Sequence, residues 1–154
     1  MRYWLMKTEP GTFGVEHLAA APRSTSAWDG VRNFQARNML RDEVRRGDQA
    51  FLYHSSCAVP GIVAVMQIVK QGYPDPTAFD RKHHHYDPDS DPGNPRWFMV
   101  DVQLKRRFAR TIALEELRAH AGKELKGMVL LRPGNRLSIT PVEAAHWKFI
   151  LSLE

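Results

Sequence analysis

The stretch Thr25–Arg37, TSAWDGVRNFQAR, packs an indole, a carboxylate, two amides and two guanidinium groups into one short run. Asp29-Gly30 has turn chemistry, and Asn33 can cap the helix that follows. Along that helix Asn33, Arg37, Arg41 and Arg45 recur every four residues as a basic stripe, while Ala36, Met39, Leu40 and Val44 supply the buried side. A tryptophan just before a helix N-terminus, with cations leading away, is the arrangement of a base-stacking wall beside a phosphate track. Asp42 and Glu43 interrupt the charge, and an ordinary solvated helix face fits the same residues equally well.

Three other stretches carry chemistry. In Trp97–Leu104, WFMVDVQL, period-two alternation puts Phe98, Val100, Val102 and Leu104 on a core face and Trp97, Met99, Asp101 and Gln103 on the other. An aromatic, a carboxylate and an amide on one face suit a polar pocket with a stacking wall; a half-exposed strand with Trp97 covering its edge fits as well. In Tyr53-His54-Ser55-Ser56-Cys57 a strand ends in hydroxyls and backbone N–H groups that can bond base edges. His54, Ser55 and Cys57 also raise nucleophilic catalysis, but no nucleophile-elbow pattern surrounds them and Ser-Ser at a strand end is a ready turn former. His83-His84-His85 has the look of a metal tract, yet neighbouring side chains of an extended chain point apart. Paired-cysteine and spaced-histidine zinc patterns are absent. A solvated or phosphate-facing loop is expected there, with no metal and no cofactor.

The elements that must position these residues are read from periodicity and punctuation. Strand patterns rich in β-branched and aromatic residues fall at Arg2–Lys7, Gln49–Tyr53, Gly61–Val69, Trp97–Phe108 and Arg136–Ile139. Helical patterns fall at Val15–Ala20, Asn33–Val44, Leu114–Ala121 and Pro141–Leu153. The last is given a capping box, with Thr140 as N-cap, Pro141 in the first turn and Glu143 three residues on. Gly47-Asp48 closes the second helix. Strands outnumber helices and their spacing is too irregular for repeated βαβ units, so a small, mixed, strongly curved sheet or barrel with packed helices is expected. Asp80–Pro95, DRKHHHYDPDSDPGNP, is a long polar loop expected to close over a substrate.

Composition bounds the function. The 154 residues suit a single domain, and 43% apolar with 25% charged is a globular balance. One cysteine, Cys57, excludes an internal disulfide framework and fits a reducing compartment. No signal-peptide pattern and no apolar run of membrane-spanning length is present, which leads to the expectation of a cytoplasmic protein without a membrane partner. Lys and Arg number 22 against 17 Asp and Glu, a net charge of +5, with a pI near 9.6. Such a surface favours polyanions through counterion release, although many mildly basic domains have no nucleic-acid role.

Taken in order, YWLMKTEP, WDGVRNFQARN, GDQAFLYHSS, PGIVAV, HYDP, NPRWFMVDV, LKGMVLL and RLSITP resemble the EVE-domain family, in particular its thymocyte nuclear protein type. The resemblance runs from Arg2 to Glu154. It implies an α+β, PUA-like fold, a curved mixed β-barrel flanked by helices. It also implies a reader rather than a catalyst, taking one extruded nucleobase, with a modified cytosine such as 5-methylcytosine or a derivative the proposed ligand, in DNA or RNA. Carried onto this chain, the WDGVRN match places Trp28, Val31, Arg32 and Asn33 at the pocket. The YHSS match adds Tyr53, His54 and Ser55, and the WFMVDV match adds Trp97 and Asp101. Individual roles are inferred from chemistry: Trp28 and Trp97 as stacking walls, Asp101 as acceptor for a cytosine N4 amino group, Asn33 and Ser55 on the remaining edge, and Arg32, Arg37 and Lys7 on phosphates. A monomer is expected. The competing readings are a hydrolase or nuclease built on His54, Ser55 or the histidine loop, and a basic module that meets an acidic protein.

Overall fold

The computed structural model describes residues 1–154. Its strands are β1 (Tyr3–Thr8), β2 (Thr25–Trp28), β3 (Gln49–His54), β4 (Gly61–Pro74), β5 (Phe98–Ala113) and β6 (Ile139–Val142). Its helices are α1 (Val15–Ala20), α2 (Phe34–Asp42), α3 (Leu114–Ala119) and α4 (Ala144–Leu153). The six strands form one mixed sheet in the order β2-β5-β4-β3-β1-β6. β1 runs parallel to β3, and every other pairing is antiparallel. The mixed, helix-flanked fold is the class expected; the sheet is open, with β2 and β6 as its edges.

Alternation along the strands explains how both faces come to be covered. On β1, Trp4 and Met6 enter one apolar cluster while Leu5, between them, enters the other. On β3, Ala50 and Leu52 join the first cluster, Phe51 and Tyr53 the second. The first cluster also takes Leu18 of α1 and Ala36, Met39 and Leu40 of α2; the second takes Leu117 of α3 and Trp147 and Ile150 of α4. Fully burying a side chain of this size is worth about 1.5–3 kcal/mol, so two such layers fix the sheet from both sides. Register shifts recur where β4 pairs with β5, between Ile62 and Ala64, Val65 and Met66, and twice from Ile68 to Tyr73. Each extra residue bends and twists the pair, which is how two long strands curve round the small core. Gly72 lets α2 lie directly on β4: a Cβ there would meet the Leu40 carbonyl oxygen at 2.4 Å.

Some expectations are corrected. Thr140 and Pro141 are not a helix start; they sit in β6, opposite Leu5 and Trp4. Because β6 is an edge strand, Pro141 removes no ladder bond the sheet depends on, and α4 begins one turn later with Glu143 at its N-cap. β2 went unpredicted, being four residues long and leading straight into a turn. Arg45 lies beyond the end of α2, so the basic stripe on the helix ends at Arg41. No helix is long and apolar enough to cross a membrane.

Candidate nucleic-acid interface

A cavity of about 680 Å³ opens where the end of β1, strand β2, the turn into α2 and the histidine loop meet. Lys7 and Thr8 come from β1, Phe13 from the following loop, and Ser26 to Trp28 from β2. Asp29 to Asn33, His83 to His85, and Arg136 with Ser138 complete the lining. Trp28 is only 6% exposed; its backbone pairs with Val100 of β5, and its ring meets Phe13 edge to face at 6.3 Å. Arg136 and Ser138 are brought alongside β1 by the bond from Lys7 N–H to the Ser138 carbonyl, 2.8 Å.

The turn between Trp28 and α2 is fixed by a buried carboxylate. Asp75 has no exposed surface. Its Oδ2 accepts from Gly30 N–H at 2.9 Å and from Arg32 Nη1 at 3.1 Å, and its Oδ1 accepts from Thr77 N–H and Oγ1 at 2.9 and 2.6 Å. Burial alone would raise the pKa of Asp75, but the donors from Thr77, Gly30 and Arg32 together outweigh it and hold the carboxyl below its ordinary range. Gly30 adopts φ +77°, and a Cβ there would strike the His85 ring at 2.3 Å; only glycine lets the imidazole lie flat on this turn. Arg32 spends all five of its N–H donors inside the protein: on Asp75, Thr77 Oγ1, the Val31 carbonyl, and the His85 carbonyl twice. Expected at a phosphate, it is instead a strut tying the turn to the histidine loop, with no donor left for a ligand.

The cavity gathers Trp28, Val31, Arg32, Asn33 and Lys7 from the residues singled out in the sequence. Asn33 spends its Oδ1 on the α2 cap, accepting from Ala36 N–H at 3.0 Å, which leaves its amide N–H₂ unassigned. Ser55 stands in an adjoining depression that shares Lys7, Gly30 and His85 with the cavity. The others lie elsewhere. Tyr53 is buried in the second core cluster, where burial raises its pKa. His54 accepts from Val15 N–H at 3.1 Å through Nε2 and so anchors α1; it makes no hydrogen bond to Ser55, whose N–H and Oγ both go to the Thr8 carbonyl. Trp97 is 6% exposed and absent from the lining. Its Nε1 donates to Asp87 at 2.6 Å while its ring stacks on Phe34. Asp101 accepts from the Tyr73 hydroxyl at 2.5 Å, and burial together with that carboxylate pushes the phenol well above its usual range. Arg37 reaches a second cleft, where its Nη1 donates to the Arg96 carbonyl at 2.7 Å. Alternation does separate Asp101 from Val100 and Val102, but Trp28 and Val31 of the cavity pack with those valines, so the non-core face of β5 is not the face on which the cavity opens.

The residues missed include Thr8, Thr12, Phe13, Ser26, Arg136 and Ser138, whose types carry no local sign of a site. Lys7 and Arg136 take part in no ion pair, and burial lowers the Lys7 pKa. They are cations on the cavity wall with no carboxylate partner, Lys7 Nζ lying 5.9 Å from the centre of the Tyr53 ring. The three imidazoles do converge, their ligand atoms within 4.8 Å of one another. His83 Nδ1, however, accepts from His85 N–H at 3.0 Å, which puts its proton on Nε2 and leaves no free lone pair for a metal.

Residues 2–153 match the EVE domain family. Thymocyte nuclear protein 1 of Danio rerio is 48% identical over 98% of this chain and 71% of its own length. The Homo sapiens protein of that name is 47% identical over 99% and 73%. Among solved structures, human THYN1 protein in complex with 5-methylcytosine-containing DNA superposes with a TM-score of 0.93 at 46% identity, covering 99% of this chain and 97% of that one. A Pseudomonas putida protein reaches 0.92 at 42% identity, covering 98% of each. The names of these relatives overturn the expectation of a cytoplasmic location, since they are called nuclear proteins. A basic composition and a lone cysteine read the same in both compartments, so the sequence had nothing with which to separate them.

Proposed function

This chain belongs to the EVE-domain family, and from that premise we propose that it reads nucleic acid by taking one extruded base, with 5-methylcytosine in DNA the first candidate, into the cavity beside Trp28. One observation carries the reading: the Trp28–Asn33 turn, anchored by Asp75, lines a cavity whose wall also offers the unpaired cations Lys7 and Arg136. The 5-methylcytosine DNA bound by a neighbour with a TM-score of 0.93 supports the choice of ligand.

The chemistry follows from the lining. Extruding a base from a duplex costs a few kcal/mol, less from a single strand. Contact with an aromatic wall returns about 1–3 kcal/mol per base, and Trp28 with Phe13 at right angles to it supplies that wall. The exposed Asp29 carboxylate accepts from a cytosine N4 amino group, the pairing chemistry favours. The free amide N–H₂ of Asn33 donates to the ring's acceptor edge, and Lys7 and Arg136 take the flanking phosphates. In this assignment Asp29 and Phe13 fill the roles that alternation gave to Asp101 and Trp97. A methyl group adds only about 0.8 kcal/mol of burial, so discrimination between plain and methylated cytosine is modest unless a hydrogen bond is also at stake. The occupied lone pair of His54 and the commitment of the Ser55 hydroxyl to the Thr8 carbonyl support binding over hydrolysis.

The test is competition binding at fixed ionic strength with single- and double-stranded DNA and RNA, each carrying plain or modified cytosine. Preference for one modified oligonucleotide is expected, and Trp28→Ala is expected to remove it. Equal affinity for all of them, or a Trp28→Ala variant that still prefers the modified base, overturns the reading.

A further inference from the structure

Directly after Asn33, at the first position of α2, stands Phe34, a phenyl ring 53% exposed beside an otherwise buried aromatic. It is not loosely exposed. One face stacks on Trp97 with centroids 4.9 Å apart, and Trp97 is itself pinned through Nε1 to Asp87 and covered by the Arg32 guanidinium at 5.4 Å. The guanidinium carbons of Arg37 and Arg96 lie 5.1 and 5.9 Å from the Phe34 ring. With Arg41, Asn94 and Pro95 these groups line a cleft of about 560 Å³ that shares no residue with the base cavity, whose wall ends at the preceding residue, Asn33.

The cleft holds one arginine free to meet an anion. Arg37 pairs with no carboxylate. Its guanidinium is aimed by the Arg96 carbonyl at 2.7 Å and the Asn38 side chain at 2.8 Å. Burial and then the neighbouring Arg41 and Arg96 charges depress its pKa, with Asp42 acting the other way; Arg41 is paired with Asp42 and Arg96 with Asp87, so Arg37 is the arginine of the cleft without a carboxylate partner. A rigid aromatic face beside oriented arginines is how single-stranded nucleic acid is bound without sequence preference. Asp89 and Asp91 also border the cleft, and the absence of an ion pair between them and Arg37 leaves that arginine for a ligand.

Resting on the reading above, we propose that this cleft is a second nucleotide subsite: Phe34 stacks on the base next to the extruded one, and Arg37 holds the phosphate between them. Two adjacent bases are then held apart, one in the cavity and one on the exposed face of Phe34. This assigns Arg37 to a neighbouring nucleotide rather than to the nucleotide in the cavity.

A double-mutant cycle tests it, using a short single-stranded DNA with one 5-methylcytosine and the same strand carrying an abasic site on either side of that base. The wild-type chain is expected to lose about tenfold in affinity when one of the two neighbours is abasic. Phe34→Ala is expected to lose a similar factor on the intact strand and nothing further on that abasic one, because the partner is already gone. Phe34→Leu, which keeps the bulk but not the aromatic face, is expected to resemble the alanine variant, and thermal melts identify any variant that fails to fold. Losses that multiply, or a Phe34→Ala affinity equal to wild type, overturn the subsite. Equal wild-type affinity for plain and methylated strands overturns the base reading alone, while the Phe34 cycle on either strand still decides the subsite.

Discussion

Beneath α4, Tyr3, Trp147 and Phe51 stack ring on ring with centroids 4.6 and 3.9 Å apart, and no polar side chain takes part. At the cavity rim the turn from Gly30 to Arg32 hangs instead from one buried carboxylate. Both regions are well ordered, but by different physics. The aromatic layer is non-directional and gains by excluding water. The rim depends on directed bonds, which position atoms closely and cost heavily when one partner is lost. A surface that must present a fixed shape to a ligand, without being filled by its own side chains, is better served by the second kind.

That contrast can be broken from either side. The largest loss is expected for Trp147→Ala, about 3–5 kcal/mol from the cavity left in a packed layer. Denaturant unfolding measures it, and oligonucleotide affinity of the folded fraction should not change. Next comes Asp75→Ala, expected to cost about 3 kcal/mol because Arg32 and Gly30 N–H lose a buried acceptor. Unlike the tryptophan change it should also weaken oligonucleotide binding, read by titration at fixed salt. Gly30→Ala is expected to cost about 1–2 kcal/mol, from the left-handed backbone and the collision with His85. A melt showing no loss would mean that the imidazole can move aside freely.

Acid separates the two regions, since the directed bonds of the rim run through a carboxylate whose pKa is shifted and beside an imidazole whose pKa is shifted. Asp75 is held below its ordinary value of 3.8, so its contribution is complete above that pH and disappears as the pH falls through the depressed value. His54 and His85 lie below the usual 6.5, mainly because burial disfavours the imidazolium. Their neutral forms favour the folded state fully above pH 6.5, and that advantage shrinks as the pH drops below it and the unfolded chain takes up protons first. The smallest effect expected is therefore a modest fall in Tm between about pH 7 and 5, reduced in a His85→Gln variant that cannot be protonated.

Much of this was legible from local pattern. The bounds of α1 and the starts of β3, β4 and α3 coincide with the predicted ones, because apolar periodicity and a turn signal agree there. The ends of β4 and β5 were not legible: bulges extend them past the point where alternation fails. Thr140-Pro141-Val142-Glu143 has every local mark of a helix start, and only its pairing with β1 makes it a strand. At the candidate site, Trp28 to Asn33 could be read together because they are contiguous. Phe13, Arg136 and Ser138 could not, since nothing but the fold brings them to Trp28. Asp75, the residue on which the rim depends, has no signal in the sequence beyond a position before proline.

The place of β1 in the sheet has a consequence for how the chain assembles. β1 lies between β3 and β6, and its partners are made at very different times during synthesis: Gln49–His54 soon after it, Ile139–Val142 far later. Until that late segment is available, one side of an apolar strand carrying Trp4, Leu5 and Met6 is an unpaired edge, the kind of surface that recruits other chains. Closing it joins residues distant in sequence, a step that slows folding. The nascent protein is therefore most prone to aggregate in the interval before β6 docks, and changes to β6 should lower the yield of native protein more than they lower its final stability.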